Sequence, residues 1–110
     1  MKIINLDRGR GKSTRLLYAS EWNDIPILCK DLNAKVNLIS RARELGLNIP
    51  EPIAAYELTC NVIKSSDKAQ KDMLVDEAHW VLQSLLKSMG MKGEIKAITL
   101  SENEDIKQGF

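Results

Sequence analysis

Short apolar runs alternate along this chain with longer stretches whose apolar residues recur at helical spacing. Strands that alternate with helices form a mainly parallel sheet that is covered by helices on both faces. The runs that predict strands are residues 1–5, 25–29, 53–56, 73–76 and 94–100. We therefore expect an α/β fold, a three-layer sandwich with a mainly parallel five-stranded sheet, in one domain over residues 1–101 that is followed by an acidic, flexible tail at 102–110.

Helices are predicted between these strands by their apolar spacing and their end signals. The first begins at Lys12 and ends near Trp22. The second is capped by Asp31 or Asn33, and Gly46 closes it. The last is the clearest, because Gly90 follows a single apolar stripe formed by Ala78, Val81, Leu82, Leu85, Leu86 and Met89.

The composition places the chain among soluble globular proteins. Of its 110 residues, 44% are apolar and 28% are charged, and no apolar run is long enough to span a bilayer. The formal charge of +1 gives no basic footprint, so nucleic acid is not implied by charge and stays open as a partner. Cys29 and Cys60 have no metal-type spacing and are interpreted as reduced core thiols, with a disulfide left open. We expect a cytoplasmic protein with no membrane partner.

The stretch Leu6–Thr14, which reads Leu-Asp-Arg-Gly-Arg-Gly-Lys-Ser-Thr, carries the first chemical signal. Gly9 and Gly11 permit a tight turn whose backbone N–H groups point inward and cradle an anion. Lys12 adds a mobile positive charge, and Ser13 adds an oxygen ligand for a hard cation. A phosphate placed here would also lie at a helix N-terminus, where unpaired N–H groups favour negative charge.

The Gly-x-Gly-Lys-Ser part of this stretch resembles the P-loop, or Walker A motif, of NTPases in the form that helicases carry. The full Walker A pattern has a glycine five positions before Gly11, where this chain has Leu6. The resemblance implies that ATP and Mg²⁺ bind here, with Ser13 as a metal ligand. The residues that would bind the cofactor are Gly9, Arg10, Gly11, Lys12, Ser13 and Thr14.

A second motif, Met-Leu-Val-Asp-Glu-Ala-His, occupies residues 73–79. The apolar run places Asp76 and Glu77 at the carboxyl end of a buried strand, where open α/β sheets bind ligands. The motif resembles Walker B in its Asp-Glu-Ala-His form, which implies that Asp76 holds Mg²⁺ and that Glu77 positions the attacking water. The alternative, that both acids only cap the following helix, stays open.

A third segment, Ala-Ile-Thr-Leu-Ser at 97–101, lies where helicases carry motif III. By that resemblance Thr99 or Ser101 would sense the γ-phosphate. The alternative is that Thr99 lies on a strand face and Ser101 in a loop without a role in binding.

The resemblance covers residues 2–101, but only as a single RecA-like lobe, a minimal P-loop NTPase-like domain. Helicases close their ATP site with a second lobe that supplies an arginine finger. We therefore expect a small ATP-binding protein with slow or partner-dependent ATP hydrolysis, in which Lys12 and Glu77 are catalytic and a protein partner or a second copy supplies the finger. The alternative is a non-catalytic regulatory protein with the P-loop fold. In style the chain is similar to small ATP-binding proteins encoded in phage genomes.

Two interpretations concern side chains outside these motifs. Trp22 and Trp80 are interpreted as core or interface aromatics rather than base-stacking platforms, because no basic cluster surrounds either. Lys35, Arg41 and Arg43 are interpreted as a solvated basic face of the second helix.

Overall fold

The computed structural model describes residues 12–59 and 72–99, apart from the side chain of Lys12. The α/β class expected from the sequence is confirmed. Among these residues no helix is long and apolar enough to cross a membrane. The elements in chain order are α1 (Lys12–Asn23), β1 (Ile27–Cys29), α2 (Leu32–Glu44), β2 (Ile53–Ala54), a 3₁₀ helix (Ala55–Thr59), β3 (Leu74–Val75) and α3 (Ala78–Ser88).

The three strands form one parallel sheet in the order β2-β1-β3. Leu28 in the central strand pairs with Ile53 of β2 and with Val75 of β3. All three residues of β1 are buried, as expected for a parallel strand that is covered on both faces. The central predicted strands are thus confirmed, with shorter bounds than the sequence suggested.

Helices pack on both faces of this sheet because successive residues of β1 point in opposite directions. Ile27 and Cys29 join a core cluster with Leu17 of α1 and Leu38 of α2. Leu28 joins a smaller cluster on the other face, together with Ile53, Ala55 and Val81. The described residues therefore form three layers.

The expectation of five strands is wrong for this structure. The predicted strand at 94–100 does not form over its described part, residues 94–99. The Gln83 side chain of α3 takes up the backbone groups of this segment: its amide nitrogen donates to the Gly93 carbonyl at 3.2 Å, and its oxygen accepts from the Ile95 N–H at 2.7 Å. Two backbone groups at the start of the segment therefore have a side chain as their hydrogen-bond partner. The predicted strand at 1–5 lies outside the described residues.

The ends of α2 follow the predicted signals. Asp31, one of the two candidate caps, accepts a hydrogen bond from the Ala34 N–H at 2.8 Å. Gly46 has φ +71°, and the N–H of Leu47 donates to the carbonyl of Ala42 at 2.8 Å. This is the Schellman closure that a glycine in the left-handed region permits.

Helix α3 forms where it was predicted, but its apolar stripe is only partly covered. Val81 is buried against the sheet, whereas Leu82 is 42% exposed and Met89 is 75% exposed. The physical reason is the size of the sheet, since β2 and β3 are two residues long and offer α3 only a small apolar face.

Candidate functional site

Ser13 and Asp76 meet at the carboxyl edge of the sheet. The Ser13 hydroxyl lies 3.2 Å from Oδ1 and 3.3 Å from Oδ2 of Asp76, and both side chains are half-buried. The two residues are 63 positions apart in the chain. This contact joins the start of α1 to the end of β3.

Local structure explains why the two side chains meet. Ser13 is the second residue of α1, so it lies in the first turn, where backbone N–H groups have no intrahelical acceptor. Asp76 directly follows β3, and its N–H donates to the Leu28 carbonyl at 3.0 Å, which keeps it against the central strand. The carboxyl ends of parallel strands lie at one edge of a sheet, the usual ligand-binding edge of α/β folds.

Glu77 has an unusual backbone conformation for a residue with a side chain. Its φ and ψ are 57° and 61°, in the left-handed region, at the N-cap position of α3. Its carbonyl accepts the N–H groups of Trp80 and Val81, but its side chain makes no capping hydrogen bond. Glu77 therefore occupies the N-cap position, as the capping alternative requires, but it does not cap the helix through a hydrogen bond of its carboxylate. A capping role for Asp76 stays open. A left-handed non-glycine residue costs about 1 kcal/mol or more, and such residues cluster at functional sites.

The other predicted site residues fall into two groups. Thr14 is half-buried in α1, and Thr99 is exposed in a segment without regular structure. No hydrogen bond joins Thr99 to Ser13 or Asp76 within residues 12–59 and 72–99. The remaining ones lie outside the described residues, namely Gly9, Arg10, Gly11, Ser101 and the side chain of Lys12.

A buried thiol, that of Cys29, lies within electrostatic reach of Asp76. It lies 3.4 Å from the Ile53 carbonyl, to which it donates, and it is a free cysteine with no exposed surface. Burial, followed by the negative charge of Asp76, raises the pKa of the Cys29 thiol from 9.0 to about 11. The interpretation as a reduced core thiol is confirmed for Cys29, which stays protonated at neutral pH.

An ion cluster that the sequence interpretation missed joins the buried Lys35 of α2 to the partly buried Glu57 and the exposed Glu51 on either side of β2. Lys35 is only 9% exposed, and its ammonium lies 2.9 Å from Glu57 and 3.0 Å from Glu51. The same Glu57 oxygen accepts the N–H of Ala54 at 3.0 Å. Burial opposes the charge on Lys35, but the hydrogen bonds to Glu57 and then Glu51 outweigh it and raise its pKa.

The prediction of a solvated face for α2 is wrong for Lys35. The signal that could have placed it is its spacing: Lys35 precedes Leu38 by three positions and Ala42 by seven, so all three lie on the buried side of α2. Arg41 and Arg43, by contrast, are exposed as expected.

Both tryptophans are far more exposed than core aromatics. Trp22 is 75% exposed and Trp80 is 49% exposed. Of the two predicted roles, core or interface, the core role is therefore wrong for both, and the interface role stays a prediction. Lys30 also approaches Trp80, with its ammonium 5.7 Å from the ring centroid.

The donor set of the Ser13–Asp76 pair fits a hard cation. Mg²⁺ prefers oxygen ligands and usually takes only one or two from the protein, with water and phosphate completing its shell. A hydroxyl and a carboxylate match that preference. Over the described ranges there is no cluster of three or more His, Cys, Asp or Glu residues that could hold a metal by itself.

Comparison with known protein families, with curated proteins and with solved structures finds no match to this chain.

Proposed function

We propose that this chain binds a nucleoside triphosphate, with ATP as the expected one, together with Mg²⁺. The observation that supports it most directly is the hydrogen bond between Ser13 and Asp76. A P-loop site requires the serine of the first motif and the aspartate of the second to share one metal ion, so their side chains must be adjacent.

Each residue in this proposal has a distinct role. Ser13 and Asp76 would hold Mg²⁺, which neutralises phosphate charge when it is bound. Lys12 begins α1 one position before Ser13 and would pair with the phosphates. The backbone of Gly9, Arg10 and Gly11 and the Thr14 hydroxyl would complete the cradle, while Thr99 or Ser101 would act as the γ-phosphate sensor.

Glu77 would position the water that attacks the γ-phosphate. It adjoins Asp76 in sequence, and its left-handed backbone forms the turn from β3 into α3. In such enzymes, positive groups around the γ-phosphate supply most of the catalysis. Hydrolysis would therefore be slow in the isolated chain, where no second lobe adds an arginine finger. A protein partner or a second copy of the chain would supply the missing arginine.

The proposed location is the cytoplasm, and the free thiol of Cys29 fits its reducing conditions.

The test is calorimetry of the full chain with ATP, ADP and GTP, each with and without Mg²⁺. Lys12→Ala should abolish most of the binding, and Asp76→Asn should weaken the Mg²⁺-dependent part about tenfold or more, because a charged ligand is lost. Glu77→Gln should leave binding intact and stop hydrolysis. Equal nucleotide binding by the wild type and Lys12→Ala would rule out the proposed site.

The chain offers matched controls for these variants. Lys92 is exposed, so Lys92→Ala removes a lysine charge from a surface position. Asp24 is exposed and has φ +55°, a conformation that asparagine tolerates, so Asp24→Asn controls for Asp76→Asn. Neither control should change nucleotide affinity.

The alternative, a non-catalytic regulator that binds a larger partner, is favoured by one observation. Leu82 of α3 and Met89 at its C-cap are seven positions apart, so they lie on one face, and they are 42% and 75% exposed; an exposed apolar helix face is typical of an interaction surface. A stoichiometric complex that survives both Lys12→Ala and Glu77→Gln would support this second function.

A further inference from the structure

Trp80, His79 and Lys30 form an aromatic and cationic patch on the surface, which we call the Trp80 patch. The Trp80 indole is 49% exposed, and the Lys30 ammonium lies 5.7 Å from its ring centroid. The His79 ring lies 5.0 Å from the Trp80 ring, tilted by 46°. His79 and Lys30 are both exposed.

The patch belongs to the carboxyl edge of the sheet. Lys30 follows β1 directly, and Trp80 lies in the first turn of α3, which begins just after β3. The two strands are neighbours in the parallel sheet, so the residues that follow them come together. None of the three residues forms part of the Ser13–Asp76 pair.

We propose that the Trp80 patch is a stacking site for an aromatic base that carries a phosphate. An exposed indole stacks on any base because every base has a π-face. A lysine beside the ring supplies the charge that a phosphate next to the base requires. The long, flexible Lys30 side chain can move from the ring to the phosphate at little cost.

The charge of the patch limits the size of the ligand. Lys30 supplies a single ammonium beside the Trp80 ring, and one ammonium suits one base and one phosphate better than a long polyanion. Two sources supply this chemistry, a free mononucleotide or a single nucleotide within a strand. The proposal is independent of metal and phosphate binding at Ser13 and Asp76.

Tryptophan fluorescence tests it, since the chain has two tryptophans. In the Trp22→Phe variant, Trp80 is the only tryptophan that fluoresces. This variant is titrated, in the absence of Mg²⁺, with AMP, dTMP, a dT12 oligonucleotide and inorganic phosphate. Quenching by AMP or dTMP would identify the ligand as a free mononucleotide, and quenching by dT12 alone would identify it as a nucleotide within a strand. Inorganic phosphate should have no effect, because it has no ring to stack.

Two variants make the test specific to the patch. Lys30→Ala should weaken binding at least about threefold, and Trp80→Ala, followed with a labelled ligand, at least about fivefold. Trp80→Phe leaves Trp22 as the only emitter, on the far end of α1, and its emission should not change. Lys12→Ala, which removes most binding at the triphosphate site, should keep the quenching, and this separates the two proposals.

The proposal is overturned by an absence of quenching with all three base-containing ligands. It is also overturned if Lys30→Ala and Trp80→Ala bind as tightly as the parent, since the ligand would then lie elsewhere.

Discussion

Ser13 in the first turn of α1 donates its hydroxyl hydrogen bond to Asp76 after β3, at 3.2 and 3.3 Å from the two carboxylate oxygens. A serine hydroxyl has one proton, so it serves whichever oxygen is better aligned. The contact joins the start of α1 to the segment between β3 and α3 at the carboxyl edge of the sheet. It also leaves a hydroxyl and a carboxylate side by side, the pair on which the proposed function depends.

Ser13→Ala and Ser13→Thr separate the hydroxyl from the rest of the site. Ser13→Ala should lower the free energy of unfolding by about 1 kcal/mol, because the Asp76 carboxylate loses a donor, whereas Ser13→Thr should retain most of it. Calorimetry with ATP should show that Ser13→Ala loses the gain in affinity that Mg²⁺ brings. An alanine variant that binds Mg²⁺ and ATP like the parent would show that Ser13 is not a ligand.

Glu77→Gly should be more stable than Glu77→Ala by about 1 kcal/mol. Both variants remove the carboxylate, and the main difference between them is the cost of the left-handed backbone, which glycine adopts without a Cβ clash. Urea unfolding measures the difference. Lys87, inside α3, is the control, because there alanine should be the more stable of the two by a similar amount. Equal stability of the two Glu77 variants would mean that residue 77 is not left-handed in solution.

Lys35→Met should lower the free energy of unfolding by about 2 kcal/mol, because the partly buried Glu57 carboxylate loses the ammonium that lies 2.9 Å from it. Arg41→Met is the matched control on the same helix: Arg41 and Glu44 form an exposed pair at 3.3 Å, whose loss should cost less than about 1 kcal/mol. Chemical denaturation compares the two. Adding Glu57→Gln to Lys35→Met should recover part of the loss, and similar costs for both single variants would contradict a buried Lys35.

Cys29 should make stability fall as the pH rises from about 9 to about 11. In this range the thiol of the unfolded chain ionises near its ordinary pKa of 9.0, while the folded thiol, with its pKa raised to about 11, keeps its proton. The unfolded state thus binds fewer protons, and unfolding becomes easier with rising pH. Urea unfolding in a Cys60→Ser background should show this slope, and Cys29→Ala should flatten it. An unchanged slope in Cys29→Ala would assign the effect to other groups.

The parts of the fold that depend on residues adjacent in the sequence could be predicted from the sequence. Asp31 caps α2 and Gly46 closes it because capping and left-handed turns involve only a few adjacent residues. The predicted strand at 94–100 failed because strand formation needs a partner strand. The Gln83 side chain hydrogen-bonds backbone groups of Gly93 and Ile95, and no local pattern reveals such a contact.

The sequence by itself determined the alternation of strands and helices, the buried central strand, and Ser13 and Asp76 as oxygen donors at element ends. Apolar spacing and end signals carry that information locally. Only the tertiary structure decided that Ser13 contacts Asp76, that Lys35 is buried between Glu51 and Glu57, and that Trp80 is exposed beside Lys30. These contacts join residues that are distant in the chain, so no local pattern reveals them. The Ser13–Asp76 and Lys30–Trp80 contacts arise because parallel strands bring their carboxyl ends to one edge of the sheet.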